Sequence, residues 1–228
     1  TSHVKAGGSA FVLDGDELLK IENSARSLLC RGHEIPITLG GAARHNTANA
    51  LSAAALTWCL GTSLTHIRTG LVTMQQDENP GRCNYFDLNG INILIDFAHN
   101  PAAMGALFDM ARAIPARRRA LCFGQAGDRT DDLIRKLARD AWSIGLDQVF
   151  VSELAAYHRG REHGDVFGII RDELLKQGAD HEQIRHNEEE LETLEEALAW
   201  AQPGDLVIML ALGGAAPVQK RLRELGAE

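Results

Sequence analysis

Asp96, His99 and Asn100 fall within one run, Ile93-Leu94-Ile95-Asp96-Phe97-Ala98-His99-Asn100-Pro101, and together they suit a nucleotide. A carboxylate accepts hydrogen bonds from ribose hydroxyls, while an imidazole and an amide can donate to phosphate oxygens. The unbroken apolar run Ile93, Leu94 and Ile95 reads as a strand inside a parallel sheet. Asn100 and Pro101 read as the N-cap and first residue of a helix over 102–113. Ligands of open α/β sheets bind at the carboxyl ends of strands, where a helix N-terminus attracts anions. A plain strand-to-helix turn capped by Asp96 and Asn100 accounts for the same residues, and this stretch alone leaves both readings open.

The elements that would position these groups follow from periodicity. Beyond Arg82, strands at 84–88 and 91–95 flank Asn89-Gly90, a hairpin signal. Helix 102–113, strand 120–123, helix 131–144, strand 148–152, helix 165–177, helix 191–201, strand 206–210 and helix 217–225 follow. This alternation predicts an α/β fold, a Rossmann-like, doubly wound, mostly parallel sheet with right-handed crossovers. Residues 96–100, 124–129, 153–162 and 213–214 at its strand ends are polar or glycine-rich, so that edge is the expected site.

The first third of the chain is α+β. Strands at 10–13 and 17–21 flank Asp14-Gly15-Asp16, a third lies near 27–30 and a fourth at 34–39. A helix over 46–60 stops at Gly61, and another covers 65–72. Asn46 and Asn49 share one face of the first helix, where Asn46 is expected as N-cap. The polar stretch 75–80 reads as a linker, giving domains at 1–79 and 80–228. An opening meander with no core before it is expected to be the end of a domain in a longer polypeptide.

A net charge of −8 argues against a general nucleic-acid or anionic-membrane binder, and no membrane span or leader pattern appears. The four cysteines form no CxxC pair; Cys59 and Cys122 sit in apolar runs, which predicts buried, reduced thiols and a cytoplasmic protein. The glutamates between 188 and 196 read as a solvated helix face, and 180–190 carries no functional signal.

Four ordered motifs carry a resemblance across essentially the whole chain. Arg44-His45-Asn46-Thr47-Ala48-Asn49, Asn79-Pro80-Gly81-Arg82, Asp96-Phe97-Ala98-His99-Asn100-Pro101 and Gly127-Asp128-Arg129 resemble those of the Mur ligase superfamily. These are ATP-dependent, amide-forming ligases of peptidoglycan, folate-polyglutamate and cyanophycin synthesis. The run from Tyr157 to Val166 and the order of segments are most similar to the cyanophycin synthetase branch, in its ligase half.

The resemblance implies that 1–79 is the end of a central ATPase domain and 80–228 the C-terminal Rossmann-like domain. It places Asn49 at adenine, with Asn46 and His45 supporting that wall, and Arg82 near the ribose and phosphates. Asp96 matches the residue on the ribose hydroxyls, and His99 and Asn100 those nearest the terminal phosphate. Arg129 falls near the acyl-phosphate or incoming substrate; Arg159 and Arg161 fall where the amino acid's carboxylate is held, for which a guanidinium fork is suited. The implied cofactors are ATP and Mg2+, with no metal ligand assigned in this chain. The implied partners are ATP and an amino acid or peptide carboxylate, with no nucleic acid and no membrane, and self-association left open.

The implied reaction has two steps. A substrate carboxylate is phosphorylated by ATP, and an amine then attacks the acyl-phosphate, with closure about residues 75–82 completing the site. One departure weighs heavily. The family's GxxGK[ST] loop is absent, since Gly40-Gly41-Ala42-Ala43-Arg44-His45 lacks both lysine and hydroxyl, so this chain alone is expected to be inactive. Substrate identity stays open among a cyanophycin-like polymer, a related dipeptide polymer and a cell-wall peptide, and a peptidoglycan- or folate-type ligase is an alternative within the superfamily. A catalytically silent nucleotide-binding or assembly module is the competing class, while an unrelated Rossmann enzyme would be expected to show a GxGxxG that is missing here.

Overall fold

The alternation around Asp14, Gly15 and Asp16 closes as a hairpin, with Gly15 in the left-handed region at φ 60°. A computed structural model describes residues 2–228, which separate into two compact units dividing between Glu78 and Asn79. The first unit begins with a single helical turn, α1 (Ser2–Lys5). An antiparallel sheet of β1 (Ser9–Asp14), β2 (Glu17–Glu22) and β3 (Ala25–Arg31) follows. Helices α2 (Arg44–Cys59) and α3 (Leu64–Thr73) cover it, Ala50, Ala54 and Ile67 clustering with Leu18, Leu29 and Ile35.

Three local expectations are corrected in this unit. The run 34–39 is not a strand but two 3-10 turns, Gly32–Glu34 and Pro36–Thr38. Pro36 has no N–H to give a ladder, and the Thr38 hydroxyl donates instead to the Gly32 and Ile35 carbonyls at 2.7 and 2.8 Å. Asn46 is not the N-cap of α2: Ala43 takes that position, and the buried Asn46 donates Nδ2 to the Ile37 carbonyl at 2.7 Å. Cys59 is exposed, whereas Cys122 is buried as expected. Leu56 in the last turn of α2 and Leu60 just beyond it are exposed as well, so an apolar run there does not report burial.

The second unit is a six-stranded sheet built from β4 (Asn84–Leu88), β5 (Ile91–Asp96), β6 (Arg119–Phe123), β7 (Gln148–Ser152), β8 (Ile184–Asn187) and β9 (Leu206–Leu210). Its order is β4-β5-β9-β6-β7-β8, with β4 antiparallel and all other pairs parallel. Helices α4 (Pro101–Ala113), α5 (Asp131–Trp142), α6 (Asp165–Lys176), α7 (Glu190–Trp200) and α8 (Ala215–Glu224) complete it. Ile93, Ile95, Val207, Met209 and Cys122 pack with Leu194 and Ala197 of α7 and Val218 and Leu222 of α8. Alternation sends Leu94, Ile208 and Leu121 to the opposite face, all fully buried. This is the doubly wound architecture read from the sequence.

The edge strand β8 escaped that reading because only Ile184 of its four residues is apolar. Helix α5 begins at Asp131, as the sequence places it, with Thr130 as the N-cap, its hydroxyl accepting from the Leu133 N–H, which leaves Asp131 for another partner. Ile208 lies in the middle of β9, paired on both sides by β5 and β6. Ile208→Ala should cost about 2–5 kcal/mol, read as a lowered urea midpoint with an unchanged slope.

Candidate functional site

The loops leaving four strands of the second unit converge on a cavity of about 260 Å3. Phe97 and His99 follow β5, Gln125 and Arg129 follow β6, Tyr157 and Arg159 follow β7, and Leu212 follows β9. All lie at carboxyl ends, the edge where open α/β sheets bind ligands.

Asp96 ends β5 and is buried. Its Oδ2 accepts from the Cys83 N–H at 2.9 Å and from the Cys83 thiol at 3.2 Å, leaving Oδ1 as the uncommitted oxygen. Burial, reinforced by the Asp96 charge, pushes the Cys83 thiol far above its ordinary value and keeps it neutral. The His99 Nδ1 donates to the Phe97 carbonyl at 2.9 Å, because a carbonyl can only accept. That fixes the free nitrogen as Nε2, a lone-pair acceptor in the neutral ring and a donor only in the imidazolium. The Phe97 ring is 4.9 Å from the His99 ring and 5.5 Å from the Arg82 guanidinium. Asn100 caps α4 as the residues predicted, its Oδ1 accepting from the Ala103 N–H at 3.0 Å, so only Nδ2 is free for a ligand.

The arginines divide by what they hold. Among the described residues, neither Arg82 nor Arg129 has a carboxylate partner. Arg159, with its backbone in the left-handed region at φ 48°, pairs with Asp128. Arg161 donates Nε to the Gly127 carbonyl at 2.8 Å and Nη2 to the Arg129 carbonyl at 2.7 Å and to Asp131 at 2.8 Å. It therefore ties the loop after β7 to the loop after β6, keeping only Nη1 free. Gly127 completes this junction: its N–H donates to the Tyr157 carbonyl at 2.8 Å, and a Cβ would lie 1.9 Å from the His158 carbonyl oxygen. In the first unit, Asn49 is exposed on α2.

Comparison with known proteins bears on this arrangement. Residues 81–213 match the family described as "Mur ligase, glutamate ligase domain", which is more than half of the chain. The chain belongs to the Mur ligase family. The cyanophycin synthetase of Crocosphaera subtropica is 32% identical over 210 residues, covering 90% of this chain and 22% of that protein. A UDP-N-acetylmuramate–L-alanine ligase of Agathobacter rectalis is 29% identical, covering 83% of this chain and 40% of that protein. This chain therefore spans less than a quarter of the length of the cyanophycin synthetases that it matches. Among solved structures, Escherichia coli FolC in complex with DHPP and ADP superposes with a TM-score of 0.67 at 17% identity, over 94% of this chain and 45% of that one. A UDP-N-acetylmuramate–alanine ligase of Thermotoga maritima gives 0.59 at 18%, over 91% and 42%. These likenesses show the shared fold.

Beside the cavity, this Mur ligase chain carries a network that no sequence pattern announced. Glu153, 5% exposed, accepts from His186 Nε2 at 2.8 Å and from the Gly164 N–H at 3.2 Å, with His158 Nε2 3.0 Å away. The His186 ring stacks on Phe167 at 4.0 Å. Glu190, expected on a solvated face, is instead largely enclosed and accepts from the Leu212 and Gly213 N–H groups at 2.6 and 2.9 Å. Burial raises its carboxyl above the ordinary value despite those donors. No helix among the described residues is long and apolar enough to cross a membrane.

Two outcomes are expected. Arg161→Ala should speed amide exchange in 124–131 and 155–161, with a loss on the order of 1–3 kcal/mol from its charged hydrogen bonds. Unchanged protection in both loops would remove Arg161 from this role. For Glu153, burial opposes ionisation, but His186, the Gly164 N–H and the nearby histidine charges outweigh it and lower its pKa below 4.5. Its contribution is then full above that ordinary value and lost as the pH falls through the lowered one. Denaturation midpoints should fall between about pH 5 and pH 3 more steeply for the native chain than for Glu153→Gln.

Proposed function

We propose that this chain supplies the C-terminal wall of the nucleotide and amino-acid sites of an ATP-dependent, amide-forming ligase of the cyanophycin synthetase type. The observation that carries the reading is the convergence of His99, Arg129 and Arg159 on one cavity at the carboxyl edge of the sheet. Residues 80–228 act as the Rossmann-like domain, and 1–79 as the end of a central ATPase domain. The parent enzyme would be cytoplasmic.

In the reaction, a substrate carboxylate oxygen takes the terminal phosphoryl group of ATP as the bond to the β-phosphate oxygen breaks and ADP leaves. The amine of an amino acid attacks the acyl carbon, phosphate leaves with the electron pair of the breaking bond, and the amine proton passes to base or solvent. Asp96 Oδ1 accepts from a ribose hydroxyl, and Arg82 balances phosphate charge beside Phe97. His99 Nε2 and Asn100 Nδ2 face the transferring phosphoryl group. Arg129 and Arg159 attract the carboxylate of the amino acid. Arg161 keeps one free donor for that carboxylate, while its other donors hold the loop. Asn49, exposed on α2, offers its amide to adenine with Asn46 behind it, buttressed by Ile37. No residue of this chain is assigned to Mg2+.

The test is kinetic. In a parent protein that joins this chain to a GxxGK[ST] loop, Asp96→Ala and Arg82→Ala should each raise the half-saturating ATP concentration about tenfold or more, matching roughly 1.5–3 kcal/mol for a charged hydrogen bond. The 228-residue chain by itself should release no phosphate steadily from ATP. ATP saturation unchanged in both folded variants would refute the nucleotide assignment. Nucleotide binding without any amino-acid-dependent turnover in the parent would favour a silent nucleotide-binding module instead.

A further inference from the structure

The Gln125 side chain lines the same cavity, is 3% exposed, and has no hydrogen-bond partner for either Nε2 or Oε1. Buried polar groups are nearly always satisfied, so an amide with both ends open beside a cavity is complementary to something that enters it. Phe97, Leu154 and Leu212 give the cavity apolar walls, which offer that amide no hydrogen-bond partner. The volume, about 260 Å3, lies below the range that accommodates drug-sized ligands and matches a single amino acid rather than a nucleotide.

Charge selects the orientation. Arg159 is paired with Asp128, and Arg161 has Nε and Nη2 on the loop. Arg129 is half-buried on the cavity wall and, among the described residues, has no carboxylate partner. We propose that Gln125 is a substrate-contacting residue: Nε2 donates to, and Oε1 accepts from, polar atoms of a free amino acid whose carboxylate is held by Arg129. This rests on the ligase reading above and deepens it, because an uncharged donor–acceptor pair inside the cavity discriminates among amino acids by hydrogen bonding, which rejects poor matches more sharply than an apolar wall does.

The 15N-labelled 228-residue chain, titrated separately with L-aspartate, L-glutamate, L-lysine, L-arginine and L-alanine, tests it by NMR. The Gln125 side-chain amide signals are assigned by their loss in Gln125→Ala. One amino acid is expected to shift the Gln125 amide and the Arg129 Nε signal together. Gln125→Ala and the near-isosteric Gln125→Glu should each weaken that binding about tenfold or more with unchanged melting temperature. Shifts at Arg129 with a silent Gln125 amide, and affinities within about twofold in both variants, would overturn the Gln125 contact and leave the amino-acid site standing. No shift at either residue with any of the five would overturn both the contact and the amino-acid site.

Discussion

The insertion of β9 between β5 and β6 is the constraint on which the candidate site depends. The chain leaves β5 towards α4 and leaves β6 towards α5, but it leaves β9 towards α8, which packs on the face that α7 shares. Neighbouring strands thus send their loops to opposite faces, and the loops part above their carboxyl ends. A crevice opens there without any side chain having to be removed from the core. The strand residues beneath it, among them Ile93, Ile95, Leu121, Ile208 and Leu210, stay fully buried while the strand ends carry charge and amide groups. Fold stability and site chemistry are held by different layers of the same strands.

Small polar contacts then convert that crevice into a shaped cavity. Cys83 fixes one oxygen of Asp96, the Phe97 carbonyl fixes one nitrogen of His99, and Asn100 uses its oxygen as a cap. In each case the protein consumes part of the side chain's hydrogen-bonding capacity and leaves one atom directed elsewhere. The Arg161 and Gly127 junction does the same for backbone, joining the loops after β6 and β7 so that their side chains keep a fixed separation. Preorganisation of this sort lowers the cost of ordering groups when a ligand arrives.

The sequence made the strands and helices of the second unit legible because their periodicity and caps are local properties. Asn100-Pro101 needs no tertiary partner to cap α4, and Ile93–Ile95 is apolar whatever surrounds it. What escaped was decided by contacts across the chain. Thr38 turning back on Gly32 overrode the strand pattern at 34–39, and His186 earns its place in β8 through Glu153 and Phe167 rather than through hydropathy. Asn46 reads as a cap, but it lies inside the first turn of α2, where the Ile37 carbonyl takes its amide. Glu190 sits among glutamates that look alike in the sequence, and two backbone donors of the loop after β9 set it apart. Gln125 carries no motif at all; only its burial without a partner marks it.

Electrostatics adds a condition that the family likeness does not supply. A chain of net charge −8 repels a polyanionic nucleotide at long range, so attraction has to be local. Most of the arginines of the second unit are neutralised by carboxylates, as with Arg118 at Asp205, Arg139 at Glu173 and Arg221 at Glu195. Arg82 and Arg129 have no carboxylate partner among the described residues, one lying beside Phe97 and the other on the cavity wall, whereas Arg117 and Arg119, which also lack one, donate to the Pro203, Ala111 and Ile114 carbonyls. At physiological ionic strength charges separated by more than about 8 Å are largely screened, so the surrounding acidity weakens their pull little once an anion is in contact. Guanidinium groups without a carboxylate partner at the strand ends therefore make that edge more attractive to an anion than the acidic surface around it.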